Sequence, residues 1–352
     1  MIPFTYEALP MRVRFGPGAL AQVGDEAAHL GLRRLLVLCT AGQQAPARRV
    51  AEGLGDRCAG IHPGARMHVP AETADEACAV AADLGADGCV AVGGGSTIGL
   101  GKAIALRHGL PVIAVPTTYA GSEMTPVWGL TEGGVKRTGR DPAVLPRSVV
   151  YDPDLVATLP VPLAVTSGIN ALAHAAEGLY APDASPVVSL MAQEGARAVA
   201  GALPRLAAGD GAAHADALYG AWLCGAVLGA TTMGLHHKLC HVLGGTFGLP
   251  HAATHTVVLP HVLAHNLPAA PAAAAALAAA LGEPDVPRAL WALVGRLDGP
   301  RSLADVGLPA DGVAEVVRQV LAVPYANPRP VVGDEVAALL RRALTGEAPA
   351  AA

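Results

Sequence analysis

The sequence predicts an N-terminal α/β domain built on a parallel sheet, followed by an all-α domain. Three observations carry this. Short apolar runs alternate with helix-like stretches over residues 1–153, those runs then cease, and Ala/Leu-rich stretches of helical length fill residues 154–352. At 352 residues the chain exceeds what one core usually holds, so two domains divided between 153 and 154 are expected.

Leu35–Leu38 is a continuous apolar run of buried-strand type, followed by a helix over 45–54. Residues 88–92 form a second strand, 111–116 a third, and Ser148–Tyr151 a fourth that Asp152-Pro153 stops. Strands separated by helices in this way make βαβ units, hence a parallel sheet. In the second half, helices are expected at 163–180, 186–208, 213–235, 270–282, 288–297 and 334–344. The tract 268–282 is a helix of low complexity rather than a linker, because Ala is the best helix former and Leu277 and Leu281 lie four apart.

With 52% hydrophobic and 15% charged residues and a net charge of −5, the chain has no basic footprint for nucleic acid and no cationic segment for a membrane surface. The N-terminal stretch lacks the basic and apolar regions of a secretory signal. The six cysteines show no CxxC pair and read as reduced thiols, so a cytoplasmic location is expected. The uncharged run 217–235 is long enough to span a bilayer. It is interrupted by Gly220, Gly225, Gly229, Thr231 and Thr232 and leads into His236-His237-Lys238, which fits a buried helix beside a polar site better.

Gly93-Gly94-Gly95-Ser96 follows a strand and opens a helix, so its backbone can approach a pyrophosphate at a helix N-terminus. It departs from GxGxxG at Ile98, and from a P-loop at Ser96 and Ala103. A plain tight turn is the alternative. The hydroxyl-rich turn Thr117-Thr118-Tyr119-Ala120-Gly121-Ser122-Glu123 after the third strand favours a nucleotide, and makes the first domain Rossmann-like. Lys136 and Arg137 follow and could meet phosphate or carboxylate.

Seven of thirteen histidines lie between 236 and 265. Asn170 and His174 are four apart in a helical stretch, His237 and His241 repeat that spacing, and His251 stands in a turn behind Pro250. His255 and His265 read as satisfied core residues. Imidazoles from two helices and a turn can bind a transition metal, orient a substrate or relay protons. No HExxH is present.

These residues resemble the iron-containing, or group III, alcohol dehydrogenase family over nearly the whole chain. The likeness is carried by Arg14-Phe15-Gly16, Gly93-Gly94-Gly95-Ser96 with Lys102, Pro116-Thr117-Thr118 with Gly121-Ser122-Glu123, Lys136, Pro146, Asp152-Pro153, residues 171–177, His241-Val242-Leu243-Gly244-Gly245 and Leu259-Pro260-His261-Val262. The resemblance implies a dehydroquinate synthase-like fold, with a nucleotide-binding domain and a helical catalytic domain. It implies a cofactor site at Thr40, Gly93, Gly94, Gly95, Ser96, Thr117, Thr118, Tyr119, Ser122 and Lys136, taking NADH or NADPH. A homodimer is expected. In metal-dependent members one aspartate and three histidines hold the ion. The histidines map onto His174, His237 and His251, but the aspartate position is Asn170. Three imidazoles and an amide leave a divalent charge uncompensated, so no catalytic metal is expected.

Asn170, the run 234–241 and Asn327-Pro328-Arg329-Pro330 narrow the resemblance to the branch that reduces the C=C bond of maleylacetate to 3-oxoadipate in aromatic-compound breakdown. Cys39-Thr40 stands where NAD-selective relatives carry an aspartate, so NADPH is not repelled. On this reading His241 leads the catalytic set, with His237 and His251 orienting, His174 supporting and Tyr325 donating a proton. Lys238, Arg137, Arg140 and Arg329 are candidate clamps for a dicarboxylate, with Asn170 beside it. The alternative is a metal-dependent alcohol dehydrogenase or aldehyde reductase with Asn170, His174, His237 and His251 as ligands.

Overall fold

The structure is a computed structural model that describes residues 4–133 and 135–351, giving the backbone but not the side chains of Val135 and Lys136. The chain forms two compact units, Ala8–Leu159 and a second that runs from Pro160 and includes residues 4–7.

The first unit contains β1 (Arg12–Phe15), β2 (Leu35–Leu38), β3 (Cys58–His62), β4 (Gly88–Gly93), β5 (Val112–Pro116), β6 (Val127–Glu132), β7 (Val135–Arg140) and β8 (Ser148–Tyr151). Its helices are α1 (Val23–His29), α2 (Gln44–Leu54), α3 (Ala71–Asp83), α4 (Gly95–His108) and α5 (Pro153–Val156). Six strands pair in parallel in the order β1-β8-β5-β4-β2-β3, and β6 and β7 form a separate antiparallel hairpin. Both faces of the sheet are covered. Leu35 and Val37 enter one apolar cluster with Val23 and Val50, while Leu36 and Leu38 enter another with Ala77 and Ile104. A strand buried on both faces reads as an unbroken apolar run, which is why β2, β4, β5 and β8 stand out in the sequence.

The remaining strands are not expected from the sequence. β1 alternates arginines with apolar residues at one edge, β3 is half-buried at the other, and the hairpin is rich in Gly, Thr and charge. The unit ends after Leu159 rather than after Pro153, because α5 belongs to it. Val156 is fully buried, Leu155 packs on the first cluster, and the Asp152 carboxylate accepts the backbone N–H groups of Gly18 and Leu20.

The second unit contains α6 (Val161–Leu179), α7 (Pro186–Ala207), α8 (Ala213–Ala230), α9 (Leu235–Phe247), α10 (His251–Asn266), α11 (Pro271–Leu281), α12 (Val286–Arg296), α13 (Val313–Leu321) and α14 (Gly333–Thr345). α7 and α8 approach closely at Gly220, where a Cβ would lie 2.8 Å from the Gly195 carbonyl oxygen. The expected helix 213–235 stops at Ala230, and α9 leaves at 95° to α8. Among the described residues no single helix is long and apolar enough to cross a membrane. His251 does not stand in a turn: it opens α10, whose many histidines and internal Pro260 hide its helical pattern.

Candidate active site

The site in the helical unit is built on α6. Asn170, His174 and Glu177 lie at i, i+4 and i+7, so one face of a single helix carries all three, and all three are buried. The break after α8 brings the first turn of α9 against this face. An α-helix begins with backbone N–H groups that have no partner within the helix. Here Glu177 accepts from Gly234 at 3.1 Å, His236 at 2.9 Å and His237 at 3.2 Å, and its Oε2 accepts from His237 Nδ1 at 2.6 Å. The Leu235 N–H donates to Asn327 Oδ1 at 3.3 Å. Asn327 is itself fixed by a reciprocal amide pair with Asn266 on α10, at 3.0 and 2.7 Å.

Six imidazoles gather around this turn. Ring centroids are 5.2 Å apart for His174 and His237, 4.9 Å for His237 and His255, 4.7 Å for His236 and His255, and 4.3 Å for His251 and His255. His241 lies 6.2 Å from His237 and 6.5 Å from His251. His255, expected to be an ordinary core residue, is therefore the hub of the group. Its Nδ1 is 2.9 Å from His236 Nε2. His255 could have been grouped with His251 from spacing, since the two are four apart. Glu177 was also readable as three residues beyond His174, but its link to residues 234–237 exists only in the fold.

Burial grades the rings. His174, His236 and His255 are fully or almost fully buried, and His241 and His251 are exposed. Burial, reinforced by the neighbouring imidazoles, holds His174, His236 and His255 well below the usual histidine range. These three are neutral at neutral pH. Among the described residues, His174 Nδ1 and His237 Nε2 are buried without a hydrogen-bond partner.

The donor set implied by the family, Asn170, His174, His237 and His251, contains no anionic ligand for a divalent metal. All four donors are neutral, and the carboxylate beside them, Glu177, is occupied by three amides and one imidazole. A second group, His236, Cys240 and His255, has ligand atoms within 4.8 Å of one another and is fully buried. Its two ring nitrogens, at 2.9 Å, are closer than the roughly 3.3 Å separating two zinc ligands at tetrahedral angles. That distance fits a shared proton.

Other expected residues are placed as follows. Lys238 follows His237 on α9 and is half-buried. Arg329 is paired with Glu335 at 2.8 Å, and Arg137 with Glu132 at 3.4 Å across an exposed hairpin. Each of these arginines has an acidic partner within its own unit. Tyr325 packs against the apolar cluster of Leu235 and Val336, and its buried hydroxyl has no hydrogen-bond partner among the described residues. Burial raises its phenol above the usual range.

In the α/β unit, Gly93 ends β4 and pairs in register with Pro116 at the end of β5. The two polar turns consequently leave adjacent strands side by side, joined by Thr117 N–H donating to the Gly93 carbonyl at 3.1 Å. A Cβ on Gly94 would lie 3.0 Å from the Thr118 side chain, and one on Gly93 would lie 2.4 Å from Thr97 Oγ1. Gly94 begins the fourteen-residue α4 with no side-chain cap, leaving a bare helix N-terminus of the kind that accepts a phosphate. Ser96, Thr118, Ser122 and Thr40 border these turns half-buried, whereas Thr117 and Tyr119 are buried, Thr117 donating to Gln43 at 3.1 Å. The Lys136 side chain lies outside the described residues.

Lys102 does not face a phosphate. Its ammonium is buried within 2.6–2.9 Å of the Ser122, Thr125 and Val127 carbonyls and Thr125 Oγ1, so it ties the end of the second turn to α4. Burial pushes it down to about 7, against the field of Glu123.

Residues 10–153 match the model of the iron-containing alcohol dehydrogenases, and residues 164–344 that of the C-terminal domain of the Fe-containing alcohol dehydrogenase family. The chain is 55% identical over 351 residues to a maleylacetate reductase of Burkholderia cepacia, covering 99% of this chain and 100% of that one. A crystal structure of a putative alcohol dehydrogenase from Ralstonia eutropha JMP134 superposes with a TM-score of 0.98 at 55% identity, covering 99% and 100% of the two chains. A maleylacetate reductase from Agrobacterium tumefaciens gives 0.95 at 49% identity, with the same coverage.

Proposed function

Because this chain belongs to the iron-containing alcohol dehydrogenase family, it is an oxidoreductase, and we propose that it reduces the C=C bond of maleylacetate to 3-oxoadipate with NADH or NADPH. The observation that carries this reading is end-to-end identity of 55% and 53% with two relatives named maleylacetate reductase. Asn170 supports it by leaving the imidazole site without an anionic metal ligand.

The amides at the start of α4, Gly93, Gly94, Gly95 and Ser96, hold the dinucleotide phosphates, with hydroxyls of Thr117, Thr118 and Ser122 beside them. Thr40 offers no carboxylate to repel a 2′-phosphate, so both cofactors are accepted. The bound cofactor supplies a hydride. Its addition at the carbon β to the ketone leaves an enolate, so the chain must stabilise negative charge on oxygen and protonate the α carbon. His241 and His251, the exposed rings, donate to that oxygen. His237 is oriented by Glu177, and neutral His174 packs behind it. Lys238 meets a substrate carboxylate. Tyr325, whose phenol keeps its proton, is the proton donor in this scheme. The enzyme works in the cytoplasm, a reading supported by six free cysteines, and acts as a homodimer, which light scattering tests.

The reading is tested by following NAD(P)H oxidation with maleylacetate, substituted maleylacetates and simple aldehydes, with and without added metal. Turnover of maleylacetate without metal supports it. Turnover of aldehydes alone, dependent on metal, overturns it in favour of an alcohol dehydrogenase.

A further inference from the structure

We infer that Glu177 and Asn327 together form a positioning device for His237, a role that nothing in the sequence near His237 could supply. The reaction it serves is the one proposed above, whereas the device itself rests on geometry alone.

The N-cap of α9 is Gly234, which has no side chain to accept a hydrogen bond. The four amides from Gly234 to His237 are met instead by two side chains from far along the chain. Glu177 accepts three of them from 57 to 60 residues away, and Asn327 the fourth from 92 residues away. The same carboxylate receives His237 Nδ1 at 2.6 Å. Glu177 thus holds the His237 backbone and ring at once. Its three backbone partners are all donors, so the carboxylate acts as an acceptor here and the ring nitrogen facing it carries a proton. That leaves Nε2, buried and unpartnered, as the nitrogen presented to the cluster. A capping residue alone would fix only the backbone. The ring contact fixes which nitrogen His237 offers, as a carboxylate does for a catalytic histidine in hydrolases.

Glu177→Gln keeps the size but removes the charge and one acceptor oxygen, so in either orientation its NH2 faces at least one N–H that Glu177 accepts. The expected result is kcat roughly 100-fold lower, with KM for maleylacetate and NADH within about threefold of wild type. Asn327→Ala, which frees one amide and leaves the ring contact, is expected to lower kcat roughly 10-fold. Leu277→Ala, a core change on α11 that costs stability, is expected to leave kcat unchanged below its melting temperature.

Nitrogen-15 NMR of labelled histidine, with the His237 signals assigned from His237→Gln, reads the ring directly. Wild type is expected to show a protonated Nδ1, and Glu177→Asp, the second variant should Gln not fold, to keep it. A wild-type His237 with unprotonated Nδ1, or a folded Glu177→Gln enzyme with kcat within threefold of wild type, overturns the inference. If maleylacetate is not a substrate, the function fails while the NMR still decides the role of Glu177.

Discussion

The Glu177 carboxylate and His237 Nδ1 meet at 2.6 Å, in a place where the carboxylate is wholly buried and also closes the start of a helix. One α6 side chain therefore sets both where α9 begins and how its histidine is turned. The remaining rings are arranged outward from this contact, from buried His174, His236 and His255 to exposed His241 and His251.

Removing an exposed ring should separate chemistry from folding. His241→Ala is expected to lower kcat by 10²–10⁴-fold, the range of a lost proton-transfer or oxyanion group, with melting temperature unchanged within a few degrees. Steady-state kinetics with maleylacetate and a thermal melt check this. Wild-type kcat in that variant would remove His241 from the mechanism.

Asn170 makes metal uptake depend on one atom. The wild-type enzyme is expected to keep its activity after dialysis against a chelator. Asn170→Asp, which supplies the missing anionic donor beside His174, is expected to bind zinc measurably more tightly. Elemental analysis after equilibrium dialysis reads both. Loss of wild-type activity on chelation, restored by metal, contradicts the metal-free reading.

The two glycines at the end of β4 should respond differently to a methyl group. Gly94→Ala meets only the Thr118 side chain at 3.0 Å, from an extended backbone, so the fold should hold. Cofactor KM is expected to rise about tenfold, roughly 1.4 kcal/mol. Gly93→Ala places its Cβ 2.4 Å from Thr97 Oγ1 and should destabilise the α/β unit itself. Cofactor titration and urea melts of the two variants distinguish these outcomes.

His261 gives the helical unit an acid-sensitive point. It is 3% exposed, neither ring nitrogen has a hydrogen-bond partner among the described residues, and burial, then the Arg342 charge, push it down to about 4. The unfolded chain binds this proton near pH 6.5 and the folded chain only near 4, so stability rises with pH across that window and falls as pH drops through it. The contribution is about 3 kcal/mol across the window. Urea melts from pH 7.5 to 4.5 should show a shallower slope in His261→Leu than in wild type.

Much of this architecture was legible from residue order. Strands buried on both faces announce themselves as apolar runs, and Asn170 with His174 and His237 with His241 show their shared faces by spacing alone. β1 and the β6–β7 hairpin were not legible, because edge and surface strands carry Arg, Thr and Gly in no clear alternation. α10 was hidden by Pro260 and by the histidines that make it important. The hub role of His255 depends on His236 nineteen positions away, and that of Glu177 on amides 57 to 60 positions away. Such contacts belong to packing rather than to any local pattern.

The borrowed cap of α9 also has a consequence for how the enzyme is made. At thirteen residues and without a local cap, α9 is too short to persist alone. Its first turn is completed by Glu177 and Asn327, 57 and 92 positions away, so the histidines become organised only when these distant segments have come together. A chain in which only the cofactor unit has folded would then lack an ordered imidazole cluster, which arrives with assembly of the helical unit.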